Sequence, residues 1–248
     1  MRQTVEFWEC LSWEFELSGE FAIFEEHCVI YIKLYSYRVS SSKMTIISIE
    51  GNIGSGKSTL LKRISEINSN VVTLQEPVDM WNNIKDEEGK TILELYYSDQ
   101  KKWAFSFQMM AFITRAKKLR EAVENNPGKV IITERSVFTD KNIFAMMLHD
   151  TNIMNDVEYS IYNHWFDELT RGIQVDRVIY VKTNPSECEC RIKSRNRTGE
   201  NIPIEYLESC HQYHENWLRQ FEDKLVLNGG LPTEHMLSII TPFLRCSS

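Results

Sequence analysis

The sequence has few of the features that mark secreted, membrane-spanning or polymer-binding proteins. Its six cysteines lie at irregular spacings with no C-x-x-C pair, which predicts reduced thiols rather than a zinc site or a disulfide framework. Its apolar runs are shorter than the ~20 residues that a membrane helix needs. A net charge of −7 and a pI near 5.5 argue against DNA or RNA as the main ligand. We therefore expect a cytoplasmic protein that binds neither a nucleic acid polymer nor a membrane.

The first 43 residues differ from the rest of the chain, because they mix aromatic and acidic side chains without proline or glycine-loop signals. The segment is not Arg-rich like a mitochondrial transit peptide, nor basic and then apolar like a secretory signal. Met44 stands directly before the first strand-like run. We expect residues 1–43 to be an N-terminal extension of unknown role and hypothesise that it is absent from the working protein. We assign residues 44–248 to one functional domain.

From Met44 onward, short runs rich in Val and Ile alternate with longer helical stretches. This alternation predicts an α/β fold with a parallel five-stranded sheet flanked by helices, and 248 residues suit one such domain. Runs without polar alternation are typical of strands that are covered on both faces. The predicted strands are residues 45–50, 71–76, 129–134, 177–182 and 224–227. The predicted helices are residues 57–67, 91–124 with a break near 98, 139–148, 156–170, 185–193 and 203–221.

Residues 51–58, called the phosphate loop below, fit the pattern G-x-x-x-x-G-K-[ST] completely. They follow a predicted strand and precede a predicted helix, where backbone N–H groups converge on a polyphosphate. The glycines allow positive φ and close approach of the backbone to an anion. Lys57 is placed for phosphate and Ser58 for Mg²⁺. We predict a nucleoside triphosphate site formed by Gly51, Asn52, Ile53, Gly54, Ser55, Gly56, Lys57, Ser58 and Thr59.

Charged residues end the next two predicted strands, at the sheet edge where ligands of such folds bind. Glu76 precedes Pro77, which keeps it extended, and its carboxylate is suited to accept the proton of an attacking hydroxyl. The alternative is a capping or solvated glutamate. Glu134 lies where many phosphate-loop proteins keep an acid for Mg²⁺, and Arg135 is placed to brace Glu76 and a phosphate together. For this pair the alternative is a surface ion pair.

Three arginines form an arginine-rich lid, with Arg191 and Arg195 on one helical face and Arg197 just beyond. A guanidinium can fork to phosphate oxygens and offset the charge that builds during phosphoryl transfer. The alternative is a solvated basic helix. Gly199 and Asn201 indicate a hinged segment that closes over the nucleotide.

Five motifs in order make the chain from residue 44 to about residue 227 resemble the deoxynucleoside kinase family, typified by deoxycytidine, deoxyguanosine and insect multisubstrate kinases. The resemblance implies a P-loop nucleotide-kinase fold, ATP or a similar triphosphate as phosphate donor, Mg²⁺ as cofactor, a deoxynucleoside as the other small-molecule partner and a homodimer. The motifs are residues 49–58, 76–81, 103–108, 134–140, and 202–207 followed by 214–218.

The resemblance also implies roles for single positions. Glu76 matches the general base, Arg135 matches the arginine that contacts both base and phosphate, and Glu134 matches the acid serving Mg²⁺. Lys57 and the lid arginines Arg195 and Arg197 then hold the transferring phosphoryl group. The other implied positions are Gln108 for the nucleobase edge, Trp81, Phe107 and Phe144 for the walls of the base slot, Tyr97 and Glu200 for the sugar 3′-hydroxyl, and Arg191 for the triphosphate.

Arg115 and Asp140 bear on the choice of base. The resemblance places an arginine and an aspartate here in deoxycytidine and purine kinases, and apolar residues in thymidine-accepting members. It therefore favours deoxycytidine or purine deoxynucleosides over thymidine. The pair can also be a buried structural bridge without a role in specificity.

Together these features predict a kinase that moves the γ-phosphate of ATP to the 5′-hydroxyl of a deoxyribonucleoside, giving a monophosphate for nucleotide salvage. One alternative is a thymidylate-type nucleoside monophosphate kinase, but the carboxylate of Glu76 would repel an acceptor that carries its own phosphate. The other is a non-catalytic structural member of the same fold, which the presence of Lys57, Glu76 and the lid arginines disfavours.

Overall fold

A central strand carries the phosphate loop in the computed structural model, which describes residues 45–197, 200 and 202–245. The expectation about residues 1–43 lies outside this range. All strand pairs are parallel and the sheet order is β2-β3-β1-β4-β5, which confirms the predicted fold class. The strands are β1 (Ile46–Glu50), β2 (Val71–Leu74), β3 (Val130–Glu134), β4 (Arg177–Lys182) and β5 (Lys224–Asn228).

Strand β1 lies at the centre of the sheet and is buried on both faces, although Ser48 and Glu50 make one of those faces partly polar. All five of its residues are buried, and Ile47 and Ile49 are completely inaccessible to solvent. It pairs with β3 on one side and β4 on the other. Its carboxyl end therefore lies between the ends of two neighbouring strands, and so does the phosphate loop that follows it.

Every predicted helical stretch is helical in the structure, with shifts at a few boundaries. Asp99 ends one helix and caps the next, since its side chain accepts a hydrogen bond from the backbone N of Lys102 at 3.2 Å; this explains the expected break near residue 98. The helices are α1 (Lys57–Ile67), α2 (Val78–Asn82), α3 (Ile92–Ser98), α4 (Gln100–Asn125), α5 (Val137–Thr139), a π-helix (Asp140–Ala145), α6 (Met146–Asp150), α7 (Asp156–Leu169), α8 (Pro185–Arg195), α9 (Ile204–Trp217), a 3₁₀ turn (Leu218–Gln220) and α10 (Thr233–Arg245).

Strand β2 is shorter than predicted, since it ends at Leu74 rather than Glu76. Its last register pair joins Leu74 to Thr133, and beyond it the chain leaves the sheet. Pro77, which has no N–H to donate to a neighbouring strand, follows Glu76. Glu76 thus belongs to the connection after β2, where its side chain is free to turn toward arginines instead of remaining in a strand.

Helix α2 was not predicted, and neither was helix α10, which contains Pro242 although proline disfavours a helix interior. Helix α10 forms because Leu237 and Ile240 on its inner face are buried with Leu60 and Leu61 of α1. A second apolar cluster joins α3, α4 and α7 on the side that faces the base slot discussed below. Within the described ranges, no helix has both the length and the apolar character needed to cross a bilayer.

Candidate active site

The phosphate loop requires glycine at positions where a side chain would collide with backbone. A Cβ on Gly51 would lie 2.6 Å from the carbonyl oxygen of Val181, and one on Gly54 would lie 2.7 Å from that of Cys188. Both glycines have positive φ, 147° and 78°. The loop is therefore tightly packed against β4 and α8, as an anion cradle of fixed shape must be.

Lys57 lies at the start of α1 with its side chain buried against this loop. Its Nζ donates to the carbonyl oxygen of Asn52 at 2.6 Å and lies 3.4 Å from Oγ of Ser55. Burial, and next the charge of Arg135, lower the pKa of Lys57 to about 7 despite the nearby acids. The nearby acids therefore do not offset the cost of burying the ammonium form, which the charge of a phosphate group would favour.

Ser58 and Glu134 meet at the carboxyl ends of β1 and β3. The hydroxyl of Ser58 donates to Oε1 of Glu134 at 2.5 Å. A hydroxyl beside a carboxylate is an oxygen donor set that suits Mg²⁺, which binds one or two protein oxygens together with phosphate oxygens and water. Among the residues that the structure describes there is no cluster of three or more His, Cys, Asp or Glu side chains that would hold a metal without the nucleotide.

Glu76 accepts two charged hydrogen bonds on the same oxygen. Its Oε1 lies 3.1 Å from Nη2 of Arg115 and also accepts from Nη1 of Arg135. Burial alone would raise the pKa of this carboxyl group, but the two arginines and Lys57 outweigh it and lower the pKa to about 2. Glu76 is therefore an ionised carboxylate with its second oxygen available to a ligand.

Arg135 has a left-handed backbone, with φ of 60°, directly after β3. Its guanidinium is buried and lies 5.3 Å from the ring centroid of Phe144. Within the described part of the chain, Nε and Nη2 of Arg135 have no hydrogen-bond partner. Buried N–H groups left in this way are costly, and a ligand oxygen in the cleft would satisfy them.

Arg115 forms the buried bridge that the sequence suggested. Its Nε donates to Oδ2 of Asp140 at 2.9 Å, and its Nη1 donates to the backbone carbonyl of Glu134 at 2.7 Å. Burial raises the pKa of Asp140 to about 6, although Arg115 acts in the opposite direction. Nearby, Oε1 of the buried Gln108 has no hydrogen-bond partner among the described residues. These groups offer an unsatisfied polar edge to a base.

Aromatic rings line the space beside this polar edge. Phe107 meets Trp81 edge to face at 5.4 Å and stacks with Tyr96 at 4.7 Å. The indole N–H of Trp81 donates to Oγ1 of Thr114 at 3.0 Å, which fixes the ring. Sequence reasoning missed Tyr96 and Tyr206, whose hydroxyls are 2.9 Å apart and join α3 to α9. The two adjacent tyrosines at positions 96 and 97 are the sequence feature that could have indicated a second tyrosine in the site.

The three lid arginines have different surroundings. Arg191 donates to the backbone carbonyls of Ser55 at 3.1 Å and Gly229 at 2.8 Å, so it braces the phosphate loop. Arg195 is paired with Glu200 through its Nε at 2.9 Å. Arg197 follows the end of α8, is exposed and also lines the cleft.

One cleft of about 750 Å³ contains both the phosphate-loop and the base-slot residues. Its volume is in the range of small-molecule sites. Gly51, Asn52 and Ser55 are buried and lie outside its lining; the amide of Asn52 instead donates to the carbonyl of Leu207 at 2.8 Å. The predicted residues that line the cleft are Ile53, Gly54, Gly56, Lys57, Ser58, Thr59, Glu76, Trp81, Tyr97, Phe107, Gln108, Arg115, Glu134, Arg135, Asp140, Phe144, Arg191, Arg195, Arg197 and Glu200.

Comparisons with known proteins agree with this arrangement. A family model described as deoxynucleoside kinase matches residues 47–236. A fowlpox virus (strain NVSL) protein named probable deoxycytidine kinase is 44% identical over 177 residues, covering 70% of this chain and 72% of the relative. Deoxycytidine kinase 1 of Xenopus laevis is 36% identical over 201 residues, covering 71% and 74%. Human mitochondrial thymidine kinase 2 is 36% identical over 179 residues, covering 71% and 65%.

Binding of a nucleoside triphosphate is expected to raise the pKa of Lys57 from about 7 toward its ordinary value of 10.5, because phosphate charge favours the ammonium form. Between these two values the unliganded amine is largely neutral, so binding takes up a proton; below pH 7 it is already protonated. Calorimetry near pH ~8.5 in two buffers of different ionisation enthalpy should show uptake of up to about one proton per nucleotide.

The matched control is Lys57→Arg, because a guanidinium stays charged throughout this range. This variant should bind the nucleotide, if more weakly, without the proton uptake. Equal uptake by both proteins would assign the titration to another group.

Proposed function

The chain belongs to the deoxynucleoside kinase family, and from that premise we propose how its cleft phosphorylates a deoxyribonucleoside. ATP or a similar triphosphate binds at the phosphate loop, and the nucleoside binds in the slot lined by Trp81, Phe107 and Phe144. The γ-phosphate passes to the 5′-hydroxyl, giving a deoxynucleoside monophosphate and a nucleoside diphosphate. Nucleotide salvage is the process that uses this reaction.

One observation supports the proposal most strongly: Glu76 and Lys57 line the same cleft. Arg135 links them, because it donates a hydrogen bond to Glu76 and its positive charge lowers the pKa of Lys57. A carboxylate near a phosphate cradle would repel an acceptor that carries a phosphate, but it suits a neutral hydroxyl. Thus the cleft favours a nucleoside over a nucleoside monophosphate as acceptor. The thymidylate-type alternative is also disfavoured by the family match.

In the proposed mechanism, the 5′-hydroxyl donates a hydrogen bond to Glu76 and its oxygen attacks the γ-phosphorus. The bond from that phosphorus to the oxygen bridging it to the β-phosphate breaks, and the hydroxyl proton passes to Glu76. The low pKa of Glu76 keeps it ionised at the moment of attack. Lys57 and the lid arginines offset the charge on the transferring group, so catalysis rests on positioning and electrostatics.

Mg²⁺ would be held by Ser58 and Glu134, whose oxygen atoms are already in contact. Bound there with the triphosphate, it would neutralise phosphate charge. The protein's own contribution is to place these two oxygens on the phosphate side of the cleft, away from the base slot.

We propose that deoxycytidine, and next the purine deoxynucleosides, are preferred to thymidine. The carboxylate of Asp140 lines the cleft while it accepts from Arg115, and its remaining lone pairs suit an amino group such as that of cytosine or adenine. Thymine would present a carbonyl oxygen there, which a carboxylate repels. Because the buried acceptor Oε1 of Gln108 also lacks a partner, a donating base edge is favoured.

A cytoplasmic homodimer is the proposed assembly. Val157, Ile161 and Trp165 lie at i, i+4 and i+8 on α7, and all three are exposed, as is Ile113 on the adjacent α4. An exposed apolar stripe of this kind suits a second copy of the chain. Reduced cysteines support the cytoplasmic location.

The function is tested by incubating the protein and Mg²⁺ with labelled ATP and each of the four deoxynucleosides. In this assay Glu76→Gln should lower kcat by about 10²- to 10⁴-fold, since the hydroxyl loses its proton acceptor. The Kd for deoxycytidine should change by less than about threefold, because base and sugar contacts remain. Asp79→Asn, which alters an exposed carboxylate of the same cleft, should behave as wild type. A Glu76→Gln enzyme with wild-type kcat would exclude Glu76 as the base.

Asp140→Asn should relax the choice of base, because its amide can donate to the thymine carbonyl that a carboxylate repels. We expect the ratio of kcat/KM for deoxycytidine to that for thymidine to fall by about tenfold or more. Asp79→Asn again serves as the control. If the ratio stays unchanged while the protein loses thermal stability, Asp140 is only a structural bridge to Arg115.

Trp165→Glu should separate the dimer, since it places a charge in the apolar stripe of α7. Sedimentation velocity should then show a monomer where the wild type sediments as a dimer. Ile67→Glu, at another exposed apolar side chain on α1, should leave the dimer intact. A wild-type monomer at micromolar concentration would contradict the proposed assembly.

A further inference from the structure

Glu50, the last residue of β1, is a completely buried carboxylate to which neither the predicted site nor the mechanism assigns a role. Among the residues that the structure describes, its hydrogen-bond partners are all neutral donors. Its Oε1 accepts from the hydroxyl of Ser48, from the backbone N of Ser136 at 3.1 Å and from the hydroxyl of Ser136 at 3.0 Å. Its Oε2 accepts from the hydroxyl of Thr139 at 2.5 Å. Burying a carboxylate without a cation is costly unless such bonds satisfy it.

Three of these four bonds cross from β1 to the turn after β3. Ser136 and Thr139 lie 86 and 89 residues away in the chain. Glu50 itself directly precedes the phosphate loop. The carboxylate therefore joins two parts of the cleft. One is the phosphate loop, called the donor half because the phosphate donor would bind there, and the other is the segment after β3 that begins the acceptor half, where the nucleoside would bind.

The residues on either side of those donors form the acceptor half. Arg135, with its left-handed φ of 60°, immediately precedes Ser136, and Asp140 immediately follows Thr139. The backbone N of Ser136 is the first group after the strained residue, and it donates to Glu50. Its bond to Glu50 thus defines the direction in which the chain leaves Arg135.

We infer that Glu50 is a positioning residue for phosphoryl transfer: it holds Arg135 and Asp140 in register with the phosphate loop. The inference rests on the proposed function. A misplacement of about 1 Å between donor and acceptor can lower a rate by ~10²-fold even when each substrate still binds. Loss of the Glu50 bonds should therefore reduce turnover more than it reduces the affinity for either substrate alone.

The test compares Glu50→Gln with wild type. The amide keeps the shape but presents an NH₂ group to hydrogen-bond donors. We expect kcat to fall by about 10- to 100-fold, with the Kd values for a non-hydrolysable ATP analogue and for deoxycytidine, each measured alone, within about threefold of wild type. A structural role alone would lower the folded fraction and leave kcat per folded molecule unchanged.

Variants of two hydrogen-bond partners of Glu50 distinguish the bonds that join the two halves of the cleft from the general effect of a buried carboxylate. Thr139→Val removes a bond that joins the two halves, so kcat should fall in the same direction as in Glu50→Gln. Ser48→Ala removes a bond to Glu50 from within β1, and its kcat should stay within about twofold of wild type. If Glu50→Gln does not fold, this pair alone carries the test.

The possible results are distinct. Wild-type kcat in both Glu50→Gln and Thr139→Val, or equal losses in Thr139→Val and Ser48→Ala, would overturn the positioning role while leaving the kinase assignment intact. A wild-type protein that phosphorylates none of the four deoxynucleosides would overturn the proposed function and this inference with it.

Discussion

Arg115 is the buried cation on which the arrangement of the cleft depends. Its three donating nitrogens reach Asp140 on the π-helix, the backbone of Glu134 at the end of β3, and Glu76 beyond β2. One side chain of α4 thereby connects the π-helix, the end of β3 and the segment that follows β2. Removing one partner of a buried ion pair typically costs ~3–5 kcal/mol, since the other charge is left uncompensated. Glu76, the proposed base, is thus part of the structural framework, which limits how far its carboxylate can move.

The distribution of charge reconciles an acidic protein with a polyanionic ligand. The chain carries a net charge of −7, yet Lys57, Arg135 and the lid arginines all line one cleft. Positive charge enclosed in a concave site attracts a small triphosphate. The position of these basic residues, rather than the total charge of the chain, therefore determines where a phosphate group can bind.

The predictable parts of the structure are those encoded locally. The glycines and Lys57 of the phosphate loop follow from steric and electrostatic needs within eight residues, and the parallel sheet follows from the α/β alternation. The order of the strands was not predicted. Helix α10 was not predicted; Pro242 argues against a helix, whereas burial of Leu237 and Ile240 overrides that preference. The hydrogen bond between Glu50 and Thr139 could not be predicted from the sequence, because the two residues are 89 positions apart and nothing in the sequence distinguishes Glu50 from any other residue at a strand end.

Arg135 combines a strained backbone with a buried side chain that has hydrogen-bonding capacity to spare. A non-glycine residue with φ of 60° is strained by of order 1–3 kcal/mol, and two of its buried nitrogens lack partners within the described chain. The fold tolerates both costs because Glu76 pairs with the guanidinium and Glu50 holds the residue that follows. In the proposed mechanism, an oxygen of the substrate or of the transferring phosphate would satisfy the remaining N–H groups of Arg135. The pairing with Glu76 and the bond from Ser136 to Glu50 fix the guanidinium and its backbone, so that electrostatic stabilisation of the transferring group would need little reorganisation of Arg135.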